Sequence, residues 1–201
     1  MKKVYYVDIS NVVLEDIKLN LISIERINKS NLIHNDLKKI QSLTSYLLLR
    51  YAFRQLNINL NDYQFKYINN KPYIDLEYHF NITHSKNIVA VVVSDSEVGL
   101  DCEVIDSSRS LTPSKYLFTN KEYEIFNLLK GADKIEYFYK TWVMKETHFK
   151  MLGKGLTKEF SSLDDLNYSV FKIVDLEENS YFISCSTPYV LKKIDFNIIN
   201  D

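Results

Sequence analysis

The stretch WVMKETHFKMLGKGL, Trp142–Leu156, decides how the rest of the chain is read. It closes a helical pattern that begins near Asp133. Ile135, Phe138, Tyr139, Trp142, Val143 and Phe149 recur at three- and four-residue steps and so share one apolar face. Glu146 falls on that face, one turn after Trp142. A carboxylate there loses water, which is costly unless a cation or hydrogen-bond donors replace it. Lys150 follows four residues later, so the two side chains are helical neighbours. Gly153 and Gly155, two of the four glycines in the chain, end the helix. By itself the stretch also reads as an ordinary core helix with a glutamate at its edge. A second acidic pair upstream makes the difference.

That pair stands in Val98-Gly99-Leu100-Asp101-Cys102-Glu103-Val104. Val98, Leu100, Cys102 and Val104 alternate with Gly99, Asp101 and Glu103, the period of a strand. Asp101 and Glu103 then share one side and Cys102 takes the other. Two readings fit: a solvated outer face, or two oxygen ligands for a hard divalent cation such as magnesium. Glu146 is the candidate for a third carboxylate from a separate element.

Composition narrows the field. The 201 residues suffice for one large domain or two small lobes, and 46% apolar with 25% charged residues are globular values. A formal net charge of −1 leaves no global field to draw the chain to nucleic acid or an acidic membrane. Cys102 and Cys185 sit apart in apolar surroundings, as buried thiols in a reducing compartment do, and lack metal spacing. The N-terminal MKKVYYVDIS is apolar only as far as Asp8, too short for a signal peptide, and no run is long enough to span a membrane. A soluble cytoplasmic protein is expected.

Along the chain, Val4–Ile9 reads as a strand and 16–30 as a helix whose tail sets Arg26 and Lys29 on one face. A long helix is expected over 35–56, then a strand at Phe65–Ile68 and a turn at Asn69-Asn70-Lys71-Pro72. The β-branched run Ile88–Val93 has the pattern of a buried central strand. His84 precedes it in Asn81-Ile82-Thr83-His84-Ser85, without zinc spacing to His34, His79 or His148. From Pro113 to Lys130 a loop leads into a short helix with Glu122 in its first turn, where a carboxylate suits the helix dipole. Short strands are expected at 168–174, 181–186 and 191–194.

Taken together, the motifs resemble those of the 4′-phosphopantetheinyl transferases, the larger two-lobed bacterial (surfactin-synthetase-activating) type. Phe80-Asn81-Ile82-Thr83-His84-Ser85 is similar to the family's F-N-[IL]-[ST]-H-S, and Val98 to Glu103 to its V-G-[IV]-D-[IV]-E. Tyr139 to Leu156 is similar to F-x-x-W-x-x-K-E-[AS]-x-x-K-x-x-G-x-G-L. Lys71-Pro72 is a weaker match to a G-K-P turn, with Asn70 where glycine is usual. Cys102 and Thr147 also depart from the pattern.

The resemblance implies an α+β fold of two similar lobes (a pseudo-dimer), each a small antiparallel sheet on a long helix. Residues 1–97 would form one lobe and 98–201 the other, with the site in the cleft between them. It implies transfer of the phosphopantetheine arm of coenzyme A to a serine of an apo acyl or peptidyl carrier protein, with Mg²⁺ as cofactor. Asp101, Glu103 and Glu146 would hold the metal; Glu146 would take the serine proton; Lys150 would serve the departing bisphosphate. His84, with a part in catalysis, and Thr83 would bind phosphate oxygens, and Lys71, Arg26 and Lys29 the 3′-phosphate and adenine end. Glu122 would lie near the site, and Leu117–Leu129 would meet the carrier protein. A monomer is expected, with no nucleic-acid or membrane partner. Two rival functions use the same residues. A metal-dependent phosphodiesterase or nuclease needs a basic groove, which the near-neutral charge does not offer. A non-catalytic carrier-protein binder would have no need of all three acids and Lys150.

Overall fold

The computed structural model describes residues 2–69, 71–112, 114–154, 166 and 168–201. Asn70, Pro113, Gly155 and Leu156, read above as turn, loop and helix-end positions, lie outside them. The chain is α+β. Strands β1 (Lys2–Asp8), β4 (His79–Ser85), β5 (Ile88–Ser94) and β9 (Tyr189–Lys193) form one sheet, in the order β4-β5-β1-β9. Strands β6 (Leu100–Val104), β7 (Ser169–Val174) and β8 (Ser180–Cys185) form a second, in the order β6-β8-β7. A hairpin of β2 (Lys66–Ile68) and β3 (Lys71–Tyr73) stands apart.

Helix α1 (Ile24–Asn31) starts at Ser23, whose hydroxyl accepts the Arg26 amide. The helix expected over 16–30 is therefore shorter, and 3₁₀ turns at Leu14–Asp16 and Leu19–Leu21 precede it. Helix α2 (Asp36–Arg54) starts at Asn35 in the same way and packs its buried residues, Leu43 and Leu47 among them, on the first sheet. Helix α5 (Gly131–Met151) covers the second sheet, flanked by α3 (Ser114–Leu117) and α4 (Asn120–Leu128). The layers thus run helix, sheet, sheet, helix.

The apolar run of β5 has its reason in this stacking. Val89 and Val91 enter the core under α2, while Ile88, Ala90 and Val92 enter the core shared with Leu100, Cys102 and Ile183 of the second sheet. A strand covered on both faces needs no polar alternation. Both cysteines are buried free thiols of that intersheet core.

Three expectations change. The first sheet is mixed, because β9 pairs parallel to β1. Residues 98–201 are also not self-contained: β9 returns to the first sheet, and Ile199 of α6 (Phe196–Ile199) joins the core under α2. Of the segment 117–129, Leu117, Phe118 and Phe126 are core residues rather than surface; Ile125 and Leu128 are exposed, as is Tyr116 just before it.

Candidate active site

The site lies where β4, β6 and the C-terminal turns of α5 meet. The close approach rests on Gly99, just before β6. A Cβ there would lie 2.0 Å from the Thr147 carbonyl oxygen and 2.9 Å from Met151 Cβ. Only a bare backbone lets α5 pass this near.

The end of α5 is fastened from several sides. Gly153, with φ +66, lets the Lys154 amide reach the Phe149 carbonyl at 2.9 Å and its own amide reach the Lys150 carbonyl at 3.2 Å, the Schellman arrangement. Lys71 donates to the Met151 carbonyl at 2.7 Å, and Asn81 Nδ2 to the Lys150 carbonyl at 3.3 Å. The terminal carbonyls that a helix leaves open are thereby answered.

Strand β6 pairs with β8 on one edge. Its other edge meets side chains of β4. Asn81 Nδ2 donates to the Val98 carbonyl at 3.3 Å; the Cys102 amide donates to Thr83 Oγ1 at 3.1 Å and the Val104 amide to Ser85 Oγ at 3.0 Å. Residues 81, 83 and 85 alternate on one face, so this polar ladder follows directly from strand periodicity. His84 then belongs to the other face, with Phe80 and Ile82, and is an exposed residue whose ring is partly desolvated by the protein beside it.

Asp101 is 2% exposed, and its Oδ1 accepts from Lys150 Nζ at 2.5 Å and from Thr83 Oγ1 at 3.1 Å. Its Oδ2 is buried without a hydrogen-bond partner among the described residues. Lys150 Nζ also donates to Thr83 Oγ1 at 3.1 Å. Burial works against the Lys150 ammonium, yet Asp101, then Glu146 and Glu103, hold its pKa above the ordinary lysine value. Glu103 is pushed up to about 7 by burial first and Asp101 second. Glu146 also rises to about 7, by burial, then Asp101 and, more weakly, Glu103, with Lys150 opposing. His84 is lowered by desolvation and then by Lys150, which puts the ring within electrostatic reach of the site.

The structure therefore joins Thr83, Asp101 and Lys150 directly, and couples Glu103, Glu146 and His84 to them through charge. Among the described residues, no three His, Cys, Asp or Glu side chains stand close enough to hold a metal ion as they are placed; the acids converge on the Lys150 ammonium instead. Lys71, Asn81, Lys150 and Lys154 line a cavity of about 230 Å³ beside this junction. Arg26 and Lys29 lie elsewhere. The Arg26 guanidinium sits over the Phe65 ring at 5.8 Å, and Lys29 bonds Glu25 at 2.7 Å and the Tyr67 hydroxyl at 2.9 Å. Neither lines the cavity.

Sequence reasoning missed Lys145. It is 1% exposed, pairs with Glu122 at 2.6 Å and donates to the Leu117 carbonyl at 2.7 Å. Glu122 also closes a capping box with Thr119 at the start of α4. Its role is thus to tie α4 to α5. Helix α5 is buried on more than one side, so a single apolar stripe did not describe it: Lys145 and Thr147 are the enclosed positions, and Glu146 stands half-buried between them.

Residues 97–194 match the family model of the 4′-phosphopantetheinyl transferase superfamily. Over that segment the chain is similar to this superfamily. It is 33% identical over 118 residues to the 4′-phosphopantetheinyl transferase gsp of Aneurinibacillus migulanus, covering 58% of this chain and 49% of that protein. It is 30% identical over 148 residues to the 4′-phosphopantetheinyl transferase Sfp of Bacillus subtilis (strain 168), covering 72% of this chain and 66% of that protein. A human L-aminoadipate-semialdehyde dehydrogenase-phosphopantetheinyl transferase is 30% identical over 96 residues, covering 43% of this chain and 31% of that protein. The chain thus spans about half the length of several of the curated relatives it matches. Within the phosphopantetheinyl transferase match lie Asp101, Glu103, Glu122, Glu146 and Lys150; Arg26, Lys29, Lys71, Thr83 and His84 precede it.

Proposed function

We propose that the chain transfers the 4′-phosphopantetheine arm of coenzyme A to a serine of an apo acyl or peptidyl carrier protein, releasing adenosine 3′,5′-bisphosphate. The observation that carries this reading is the junction of Lys150, Asp101 and Thr83, flanked by two glutamates of raised pKa and opening beside a lysine-lined cavity. The cleft between the two sheet-and-helix halves, which we read as lobes of a pseudo-dimer, would receive coenzyme A.

A divalent cation fits the donors present. Asp101 Oδ2 is a buried acceptor without a partner among the described residues, and the neighbouring glutamates have pKa values raised to about 7 by burial and then by repulsion from Asp101. Hard carboxylate oxygens are what Mg²⁺ selects, and one or two of them suffice where substrate phosphates complete the shell. Asp101 with Glu103 or Glu146 would hold it. When bound, the ion supplies counter-charge to the diphosphate.

The chain's own residues supply the rest. Glu146, with a pKa of about 7, is suited to accept the proton of the attacking serine at neutral pH. Lys150 carries the proton-rich ammonium that would bond the departing bisphosphate. Lys71 and Lys154 would receive phosphates along the cavity. His84, at the exposed edge of β4, would reach a phosphate from the opposite side to Thr83. Arg26 and Lys29 would meet only the far, adenine end of coenzyme A. Exposed Tyr116, Ile125 and Leu128 are our choice for the carrier-protein contact.

The test is intact-mass measurement of several apo carrier proteins after incubation with coenzyme A, Mg²⁺ and the purified chain. A phosphopantetheine mass gain on at least one is expected. No gain on fatty-acid, polyketide or peptide-synthetase carriers overturns the reading.

A further inference from the structure

Resting on that reading, we propose that Thr83 and Ser85 are positioning residues that set the two acids of β6, and that neither is a phosphate ligand. The argument is one of valence. A hydroxyl has one proton to donate and two lone pairs to accept with. Thr83 Oγ1 gives its proton to Asp101 Oδ1 at 3.1 Å and accepts from the Cys102 amide at 3.1 Å and the Lys150 ammonium at 3.1 Å. Nothing is left with which to bind a phosphate oxygen, and the residue is 3% exposed.

Ser85 repeats the arrangement two residues on. Its Oγ accepts from the Val104 amide at 3.0 Å and donates to Glu103 Oε2 at 3.5 Å. Each hydroxyl of β4 thus holds one carboxylate of β6 and the amide of the residue that follows it.

The consequence for Asp101 is directional. Thr83 and Lys150 both bind Oδ1, and this turns the buried Oδ2, without a partner among the described residues, to the remaining side of the carboxylate. Thr83 therefore selects which oxygen a cation meets. Ser85 performs the weaker version for Glu103, whose bond is longer. Groups that orient metal-binding carboxylates from behind typically govern metal affinity by about 10- to 100-fold.

The experiment compares Thr83→Val, Thr83→Ser and Ser85→Ala with the wild-type chain. Mn²⁺ is titrated calorimetrically without coenzyme A, and the KM for coenzyme A is measured at saturating metal. Thr83→Val is expected to weaken Mn²⁺ binding about tenfold and Ser85→Ala several-fold. The KM for coenzyme A should stay within about twofold, and Thr83→Ser should recover most of the affinity. Unchanged Mn²⁺ affinity in both Thr83→Val and Ser85→Ala overturns the proposal. So does a tenfold rise in KM with metal affinity intact, the mark of a direct phosphate ligand. If Thr83→Val does not fold, a crystal structure of the wild-type chain with coenzyme A and Mn²⁺ decides: Thr83 Oγ1 should remain on Asp101, and a phosphate oxygen within hydrogen-bond distance of it overturns the assignment. Failure of the transfer reading shows separately, as carrier proteins that gain no mass although the wild-type chain binds Mn²⁺. A wild-type chain without Mn²⁺ affinity, with or without coenzyme A, overturns the assignment of Thr83 and Ser85, and the mass assay alone decides the transfer reading.

Discussion

Replacing Gly99 by alanine tests the contact on which the site geometry depends. The new Cβ would meet the Thr147 carbonyl oxygen at 2.0 Å, with Met151 Cβ at 2.9 Å and the Met151 amide nitrogen at 3.0 Å. Real Cβ contacts start near 3.0 Å, so α5 or β6 must retreat by at least about 1 Å. The obstacle is backbone on a 21-residue helix, and it cannot rotate aside as a side chain would. Overpacking of this kind costs about 1–3 kcal/mol. For a chain of this size that lowers the unfolding midpoint by about 2–12 °C. The effect on chemistry should be larger. Glu146 and Lys150 ride on the displaced turns, and a misplacement of about 1 Å costs about 100-fold in rate. Differential scanning calorimetry and a carrier-protein mass assay measure the two effects side by side. A Gly99→Ala chain with wild-type midpoint and wild-type turnover would show that α5 is not held against β6 as described.

Other outcomes are open to measurement. Glu122→Gln removes the Glu122 carboxylate from the enclosed Lys145 ammonium and should destabilise the chain by about 1–3 kcal/mol, read as a drop in urea midpoint. Glu146→Gln should reduce transfer at least 100-fold while the unfolding midpoint does not fall; loss of fold instead of turnover would contradict the proposed role. In chelator, stability should decline as pH rises from about 5 to about 7.5. Glu103 and Glu146 have folded pKa values of about 7, above their ordinary range, so their contribution is complete at acid pH and is lost as they ionise. The decline should shrink in the Glu103→Gln, Glu146→Gln double variant, and an unchanged pH profile there would refute the assignment.

Much of this arrangement could be read from local pattern. The alternation of Val98 to Val104 located β6 and the sides of Asp101 and Cys102, because strand geometry alone decides which side chains share a face. The run at Ile88–Val93 marked a strand covered on both faces for the same reason. What was not legible depends on partners distant in sequence. Nothing local to Lys145 says that Glu122 comes to meet it, and helical periodicity describes one buried stripe whereas α5 is enclosed on several sides. The motif resemblance implied one role for Thr83 and His84, whereas strand alternation puts them on opposite faces of β4. The parallel pairing of β9 has no local signature, since it is fixed by the open edge of β1.

That pairing has a consequence for how the protein is made. Tyr189–Lys193 lie against Lys2–Tyr6, so β1 waits for a strand made much later in synthesis before this edge is covered. Until then β1 presents unpaired amides and carbonyls to any passing strand. Nascent chains stalled before residue 189 should therefore be the species that chaperones retain, and slow synthesis should cost yield through self-association more than through misassembly of the site.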